Sequence, residues 1–246
     1  MDVSGKTVLV TGAGRGIGRV LATHFARKGA NLALLDMSRT ELDETAAQCA
    51  QQKVIARSYV ASVQDEAEVV STMDRIVTDF GRLDVLINMA SVYASVPFDA
   101  MDENTWHSVV DIDLRATFLC SHAAVKHMRL VGGGRIVNFS DWLAHSGRPR
   151  YPGYLPYYVA KKGVIGLTEA LALEVAADQI LVNAIAPGPI LAPPGTSDKE
   201  LEDVANATPL GRWGGEESIV HAVVFLLETE FVTGETIRVD GGRHVK

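Results

Sequence analysis

The stretch Thr7-Val8-Leu9-Val10-Thr11-Gly12-Ala13-Gly14-Arg15-Gly16-Ile17-Gly18 decides the fold. An apolar β-branched run breaks into a glycine-rich turn, and an amphipathic pattern, Gly18–Lys28, follows at once. A strand that feeds a helix through such a turn delivers backbone N–H groups and a helix N-terminus to one point, which is a cradle for an anion. The glycines at 12, 16 and 18 fit TGxxxGxG and not GxGxxG, so the general dinucleotide fingerprint is met only approximately. Taken alone the turn could be structural; its place after the first strand of a βαβ unit argues for pyrophosphate.

Outward from this unit the pattern repeats. Apolar runs recur at Asn31–Leu35, Val54–Ser58, Asp84–Ile87, Gly134–Phe139, Leu181–Ile185 and Glu235–Val239. Helical periodicity fills Arg39–Gln51, Asp65–Phe80, Glu103–Arg129, Tyr154–Ala177 and Glu216–Leu227. The strand runs are continuously apolar, as a sheet buried on both faces requires. The expectation is an α/β Rossmann fold: one domain over 1–246, a doubly wound, parallel, seven-stranded sheet with helices on both faces. The segment 187–208, with Pro187-Gly188-Pro189 and Ala192-Pro193-Pro194-Gly195-Thr196, reads as a substrate loop holding a short helix.

The formal charge of −7 comes without any run of Lys or Arg, which argues against nucleic acid or an anionic membrane surface and for a small-molecule substrate. No segment approaches transmembrane length, and Met1–Lys6 leads directly into the first strand without a leader pattern. Two cysteines, Cys49 and Cys120, build no disulfide framework. A reducing, cytoplasmic setting is expected. No metal site is expected.

The strand ends carry the candidate cofactor residues: Gly12, Arg15, Gly16, Ile17 and Gly18 in the turn, then Asp36 at the end of the second strand. A carboxylate there accepts from a ribose diol and repels a 2′-phosphate, which favours NAD. Arg15 and Arg39 stand near enough to leave NADP open. Asn88-Met89-Ala90 follows the fourth strand, and Pro187-Gly188-Pro189-Ile190 follows the sixth; Asn88, Ala90, Pro187, Gly188 and Ile190 are candidates for backbone or close contact with the cofactor.

With these motifs in order, the chain resembles the short-chain dehydrogenase/reductase family over essentially its whole length. The likeness rests on Thr11–Gly18, Asn88-Met89-Ala90, Tyr157-Tyr158-Val159-Ala160-Lys161 as YxxxK, Asn183 to Gly188, and Val232-Thr233-Gly234 through Asp240-Gly241-Gly242. It implies Tyr157 as general acid/base and Lys161 as the residue that lowers the Tyr157 pKa and holds the nicotinamide ribose. A phenol near pKa ~10 needs a nearby cation to act as a base, and an i, i+4 lysine supplies one. Tyr158 and Lys162 share that spacing but sit one residue out of the family register.

Two positions depart from the family pattern. Asp113 stands where the family places an Asn that keeps a helix kink and a relay water, and ionised it sets a negative charge near Lys161. Asp141 stands where a Ser usually orients the substrate oxygen, with Ser140 one residue before it. Alternate strand residues face opposite sides, so only one of the two faces the substrate. Asp141 is preferred, with the alternative that it caps a turn and Ser140 is reached through a bulge. Tyr93, Asp141 and Trp142 are the candidate substrate contacts. Asp141, Tyr93 and the approach Gly153-Tyr154-Leu155-Pro156 resemble the pteridine reductase branch, whereas Asp36 opposes it because that branch uses NADPH. The leading expectation is hydride transfer between a nicotinamide and a carbonyl, C=N or secondary alcohol. The competing one is a silent dinucleotide-binding regulator. Long apolar helices in the second half imply a homodimer or homotetramer.

Overall fold

A computed structural model describes every residue except Arg148 and Pro194. Seven parallel strands are joined in the order β3-β2-β1-β4-β5-β6-β7. They are β1 (Thr7–Thr11), β2 (Asn31–Asp36), β3 (Ala56–Val60), β4 (Val85–Asn88), β5 (Gly134–Phe139), β6 (Ile180–Pro187) and β7 (Thr236–Val239). The order reverses between β1 and β4, and there the carboxyl ends of the strands open a crevice.

Two cores explain the continuous apolar runs. On one face Val8, Val10, Leu32, Leu34, Val85, Ile87 and Val137 pack on α1 (Gly16–Arg27), α2 (Arg39–Ala50) and α9 (Glu216–Glu228) through Leu21, Phe25, Leu42, Val223 and Leu226. On the other, Leu9, Ala33, Leu35, Leu86, Ile136 and Val182 meet α3 (Glu66–Phe80), α5 (Ala116–Leu130) and α7 (Leu155–Val175) through Met73, Ile76, Ala124, Met128 and Ala172. Successive strand residues thus feed opposite cores.

Three expectations change in detail. The third strand runs over 56–60 and not 54–58, because it pairs with β2 as far as Val60 against Asp36. Glu103–Arg129 is not one helix: α4 (Glu103–Val110) passes through a π-helical turn, Asp111–Arg115, into α5. A single π-helical turn of this kind is rare and has no residue signature of its own in this sequence, so the pattern does not reveal it. A short helix, α6 (Trp142–Ser146), follows β5, and Asp141 is its N-cap. In the 187–208 segment, α8 (Asp198–Ala207) begins at a capping box between Ser197 and Glu200; Pro194 lies outside the described residues.

A buried polar chain ties the sheet to the helices beneath the crevice. Asn88 Nδ2 donates to Ser121 Oγ (3.0 Å) and Asn138 Oδ1 (2.9 Å), and Asn138 Nδ2 donates to Thr168 Oγ1 (3.0 Å). Removing one partner here would leave a buried amide unpaired at about 1–3 kcal/mol, so this chain fixes how β4 and β5 meet α5 and α7.

Candidate active site

The cradle is built by close backbone approach. A Cβ on Gly18 would lie 2.1 Å from the Gly12 carbonyl oxygen, and one on Gly12 would lie 3.1 Å from Ala90 N. Gly12 also holds φ +68°, a left-handed conformation that glycine adopts at little cost. Thr11 Oγ1 accepts from Met89 N (3.0 Å) and Ala90 N (3.1 Å), locking the turns after β1 and β4 together. Asp36 accepts through Oδ2 from Gly14 N (3.0 Å) and through Oδ1 from Met37 N (2.7 Å) and Ser38 N (3.3 Å). Arg15, the residue before α1, makes no side-chain cap, so the first N–H groups of α1 have no side-chain partner there.

Beside this turn lies a cleft of about 410 Å³, whose lining includes Gly12, Arg15, Ile17, Gly18, Asp36 and Ala90. Glycines that admit no Cβ, a helix N-terminus and a carboxylate at the far end fit a dinucleotide. Arg19 supports the turn from behind: its guanidinium donates to the Gly14 carbonyl and to Thr45 Oγ1, and pairs with Glu44 at 2.9 Å. Sequence reasoning missed Arg19; its place in the first turn of α1, directly after the glycines, was the available signal.

The remaining candidate cofactor residues lie outside the cleft of Gly12 and Asp36. The Asn88 side chain points into the buried polar chain and not into the cleft. Gly188 donates its N–H to Val239 O (2.9 Å) and lies so close to Asp240 that a Cβ would stand 2.5 Å from the Asp240 Cβ. Ile190 is buried in the core. Pro187 ends β6, opposite Val239. None of Pro187, Gly188 and Ile190 lines the cleft of Gly12 and Asp36.

Tyr157 sits in the first turn of α7, with Lys161 one turn further on the same face. Its Oη is 3.3 Å from Asp141 Oδ2, while Asp141 Oδ1 caps α6 by accepting from Leu143 N (2.7 Å). Asp141 therefore caps a turn and faces Tyr157 at once. Ser140 turns the other way: buried, it donates from Oγ to Lys161 O (2.8 Å). Trp142 is buried too, with the guanidinium carbons of Arg150 and Arg243 at 5.1 and 5.5 Å from its ring centroid, and does not line the cavity at Tyr157.

That cavity, of about 130 Å³, is walled by Tyr93, Asp141, Tyr151, Tyr154, Tyr157 and Tyr158 among others. Tyr93 stacks on Tyr154 at 4.6 Å between centroids and meets Tyr157 edge-on at 4.9 Å. Tyr154 was read only as part of the approach to Tyr157, and Tyr151 was not singled out; a run with four tyrosines between 151 and 158 was the signal. Lys162 is exposed, which separates it from this wall.

Lys161 Nζ is buried between two acceptors, Phe139 O at 3.0 Å and Asp113 Oδ1 at 2.9 Å. Asp113 also accepts from Val92 N (3.1 Å) and from the Ser91 hydroxyl. Gly163 makes room for this turn, since a Cβ there would lie 2.7 Å from a Leu114 methyl. Lys161 stands near Tyr157, with its ammonium 5.6 Å from the ring centroid, and shares its charge with Asp113. Burial, then Asp141 and Asp113, hold the phenol well above its ordinary value. Burial likewise raises the Asp141 carboxyl, against the opposing Leu143 N–H, the Lys161 charge and the Tyr157 hydroxyl. Among the described residues no His/Cys/Asp/Glu cluster could hold a metal ion, and no helix is long and apolar enough to cross a membrane.

A glycine cradle at the switch point of a parallel sheet, with a Tyr-Lys pair at the next strand ends, defines a nicotinamide-dependent oxidoreductase. Residues 12–244 match the family model described as enoyl-(acyl carrier protein) reductase. The chain is 34% identical over 246 residues to the 3-oxoacyl-(acyl-carrier-protein) reductase FabG of Thermotoga maritima, covering 98% of this chain and 99% of the relative. It is 36% identical over 251 residues to the short-chain reductase protein NovJ of Streptomyces niveus, covering 97% and 94%. Among solved structures, an NAD+-bound xylitol dehydrogenase superposes with a TM-score of 0.91 at 32% identity, covering 98% of this chain and all of the other. Carveol dehydrogenase from Mycobacterium avium in complex with NAD also gives 0.91, at 28% identity, covering 100% and 99%. The chain belongs to the short-chain dehydrogenase/reductase family and is an NAD(P)-dependent oxidoreductase.

Proposed function

We propose that the protein reduces a carbonyl or C=N group of a small polar substrate that carries N–H or O–H donors beside the reacting carbon. The observation that carries this reading is Tyr157 Oη standing 3.3 Å from Asp141 Oδ2 in a buried, doubly acidic setting. Burial, reinforced by two carboxylates, keeps the phenol neutral, and a neutral phenol donates a proton. A reduced nicotinamide held by the cradle would supply the hydride. Tyr157 gives its proton to the oxygen or nitrogen that becomes OH or NH. Lys161 orients the nicotinamide ribose, and Asp141, which when ionised only accepts, receives a donor of the substrate. Ser140 holds the α7 backbone through Lys161 O and acts as a positioning residue.

The same reading assigns NAD as the preferred cofactor. Asp36 closes the adenosine end of the cleft, and Met37 beside it offers no cation to a 2′-phosphate. A second reading, pteridine reductase-like reduction of a pterin, draws on Asp141 and on the aromatic wall of Tyr93 and Tyr154, which suits a flat ring. Asp36 speaks against it.

Tyr157→Phe tests the assignment. General acid catalysis contributes ~10²- to 10⁴-fold, so kcat on a carbonyl panel should fall by that factor while NADH binding, measured by fluorescence titration, stays unchanged. Retention of more than about a tenth of the rate would move the role to another group, with Tyr158 tested next.

A further inference from the structure

We propose that Asp113 is a positioning residue whose carboxylate clamps Lys161 to the Ser91–Val92 turn and withholds the ammonium charge from Tyr157. The proposal goes beyond the assignment of Tyr157 as proton donor and rests on it.

The geometry is specific. Asp113 is fully buried inside the π-helical turn, and each of its oxygens is engaged. Oδ1 takes the Lys161 ammonium at 2.9 Å and the Ser91 hydroxyl, and Oδ2 takes Val92 N at 3.1 Å. A π-helical turn puts an extra residue into the helix and so redirects a side chain. Here the redirected side chain reaches both α7 and the turn after β4, which also carries Tyr93 two residues beyond Ser91.

Charge bookkeeping then follows from distance. The ammonium is 2.9 Å from a carboxylate oxygen and 5.6 Å from the centroid of the Tyr157 ring. Coulomb energy falls with distance, so the pair meets Tyr157 as a near-neutral unit and not as a free cation. The other titratable groups around Tyr157 are Asp141, from the start of α6, Tyr93, from the turn after β4, and Arg150, Tyr151, Tyr154 and Tyr158 along the approach to α7; the one cation among these, Arg150, lies over the Trp142 ring, and Asp141 and Tyr93 both raise the phenol. Tyr157 is thus left as a hydroxyl, and a phenol kept as a hydroxyl continues to donate its proton as the medium becomes alkaline. An uncharged residue at 113 would release the Lys161 charge toward the phenol and favour the phenolate.

The sign of the test is fixed. Removing a negative charge beside Tyr157 lowers its pKa, typically by about one pH unit or more for a group at this range. In Asp113→Asn the alkaline fall of carbonyl reduction and the alkaline rise of alcohol oxidation should both move to lower pH by that amount. A cofactor-free readout accompanies them: the tyrosinate absorbance of Tyr157, isolated by subtracting titrations of proteins that also carry Tyr157→Phe, should move in the same direction. Asp113→Ser, smaller and equally uncharged, is the second variant, so a folding failure of Asp113→Asn does not end the test. Ser91→Ala keeps the carboxylate and should leave the limbs in place. Unshifted limbs and absorbance in a folded uncharged variant overturn the proposal, as does an equal shift in Ser91→Ala, which would assign the effect to loop placement. If Tyr157→Phe keeps its turnover, the proton-donor reading fails as well; if it is inactive and the uncharged variants do not shift, only the role of Asp113 falls.

Discussion

The crevice has two halves built on different principles. The half between β1, α1 and β2 is made of backbone: glycines without Cβ atoms, N–H groups, and a carboxylate that itself accepts from three backbone N–H groups. The half between β5, α6 and α7 is made of side chains: Tyr157, Asp141, Tyr93, Lys161 and Asp113, linked by hydrogen bonds, stacking and one buried ion pair. A backbone site accepts a common fragment of many cofactors and tolerates little change. A side-chain site can be altered one residue at a time, and both departures from the family pattern, Asp113 and Asp141, lie there.

The largest expected effect on cofactor binding breaks the first half. In Gly18→Ala the new methyl, on the first turn of α1, would stand 2.1 Å from the Gly12 carbonyl oxygen, a backbone atom. Overpacking of this kind costs about 1–3 kcal/mol. NADH affinity should fall by ~100-fold, near 2.7 kcal/mol, with a lower melting temperature. Gly16→Ala is the contrast: no atom lies within 4 Å of its Cβ, and only the φ of +53° opposes it. Its cost should be about 1–2 kcal/mol, with the cradle still closing. Equal binding by both glycine variants and the parent would show that close approach does not shape this half.

The next effect sharpens the second half. Asp141 accepts on both oxygens, from Leu143 N and from Tyr157 Oη. In Asp141→Asn an amide that keeps the helix cap turns its NH₂ toward the phenol hydroxyl, so one acceptor is lost. kcat/KM should fall by at least ~10-fold, about 1.4 kcal/mol, while the fold persists. Because burial holds the Asp141 carboxyl above its ordinary range, the parent should lose activity as pH falls through that raised value, where the acceptor becomes protonated. Asp141→Ser should abolish this acid limb and shift preference toward ketones without neighbouring N–H groups. An Asp141→Ala protein with parental kinetics beside an inactive Ser140→Ala would return the role to Ser140.

The two halves also differ in how far the sequence discloses them. The sheet was legible because each strand is apolar on both faces and each helix keeps its period; Leu32-Ala33-Leu34-Leu35 announces burial from both sides. The cradle was legible because glycine spacing reports backbone geometry directly. Side-chain direction was not. The π-helical turn that aims Asp113 at Lys161 has no residue signature of its own in the sequence. Asp141 and Ser140 are neighbours, and only the end of β5 at Phe139, where the chain turns into α6, fixes which one meets Tyr157. Trp142, an aromatic beside the site in sequence, is turned inward between two arginines, whereas Tyr154, thirteen residues from Asp141, forms the wall.

The smallest effect lies at Asp36, at the far end of the first half. Its oxygens already accept from Gly14, Met37 and Ser38, so the carboxylate supports the turn as well as facing the cleft. A ribose diol adds hydrogen bonds to such an acceptor, whereas a 2′-phosphate brings like charge to it. If the charge dominates, Asp36→Asn and Asp36→Ala should both raise the NADPH-to-NADH ratio of kcat/KM by up to ~10-fold, because both remove the repulsion. If support of the turn dominates, Asp36→Ala should weaken both cofactors alike, since Gly14 N loses its partner, and Asp36→Asn should stay near the parent. The charge reading is the expected one, since Met37, next to Asp36 in the cleft, adds no cation. A parent protein that uses NADPH as well as NADH would refute it and strengthen the pterin reading, in which Arg15 or Arg39 would meet the phosphate.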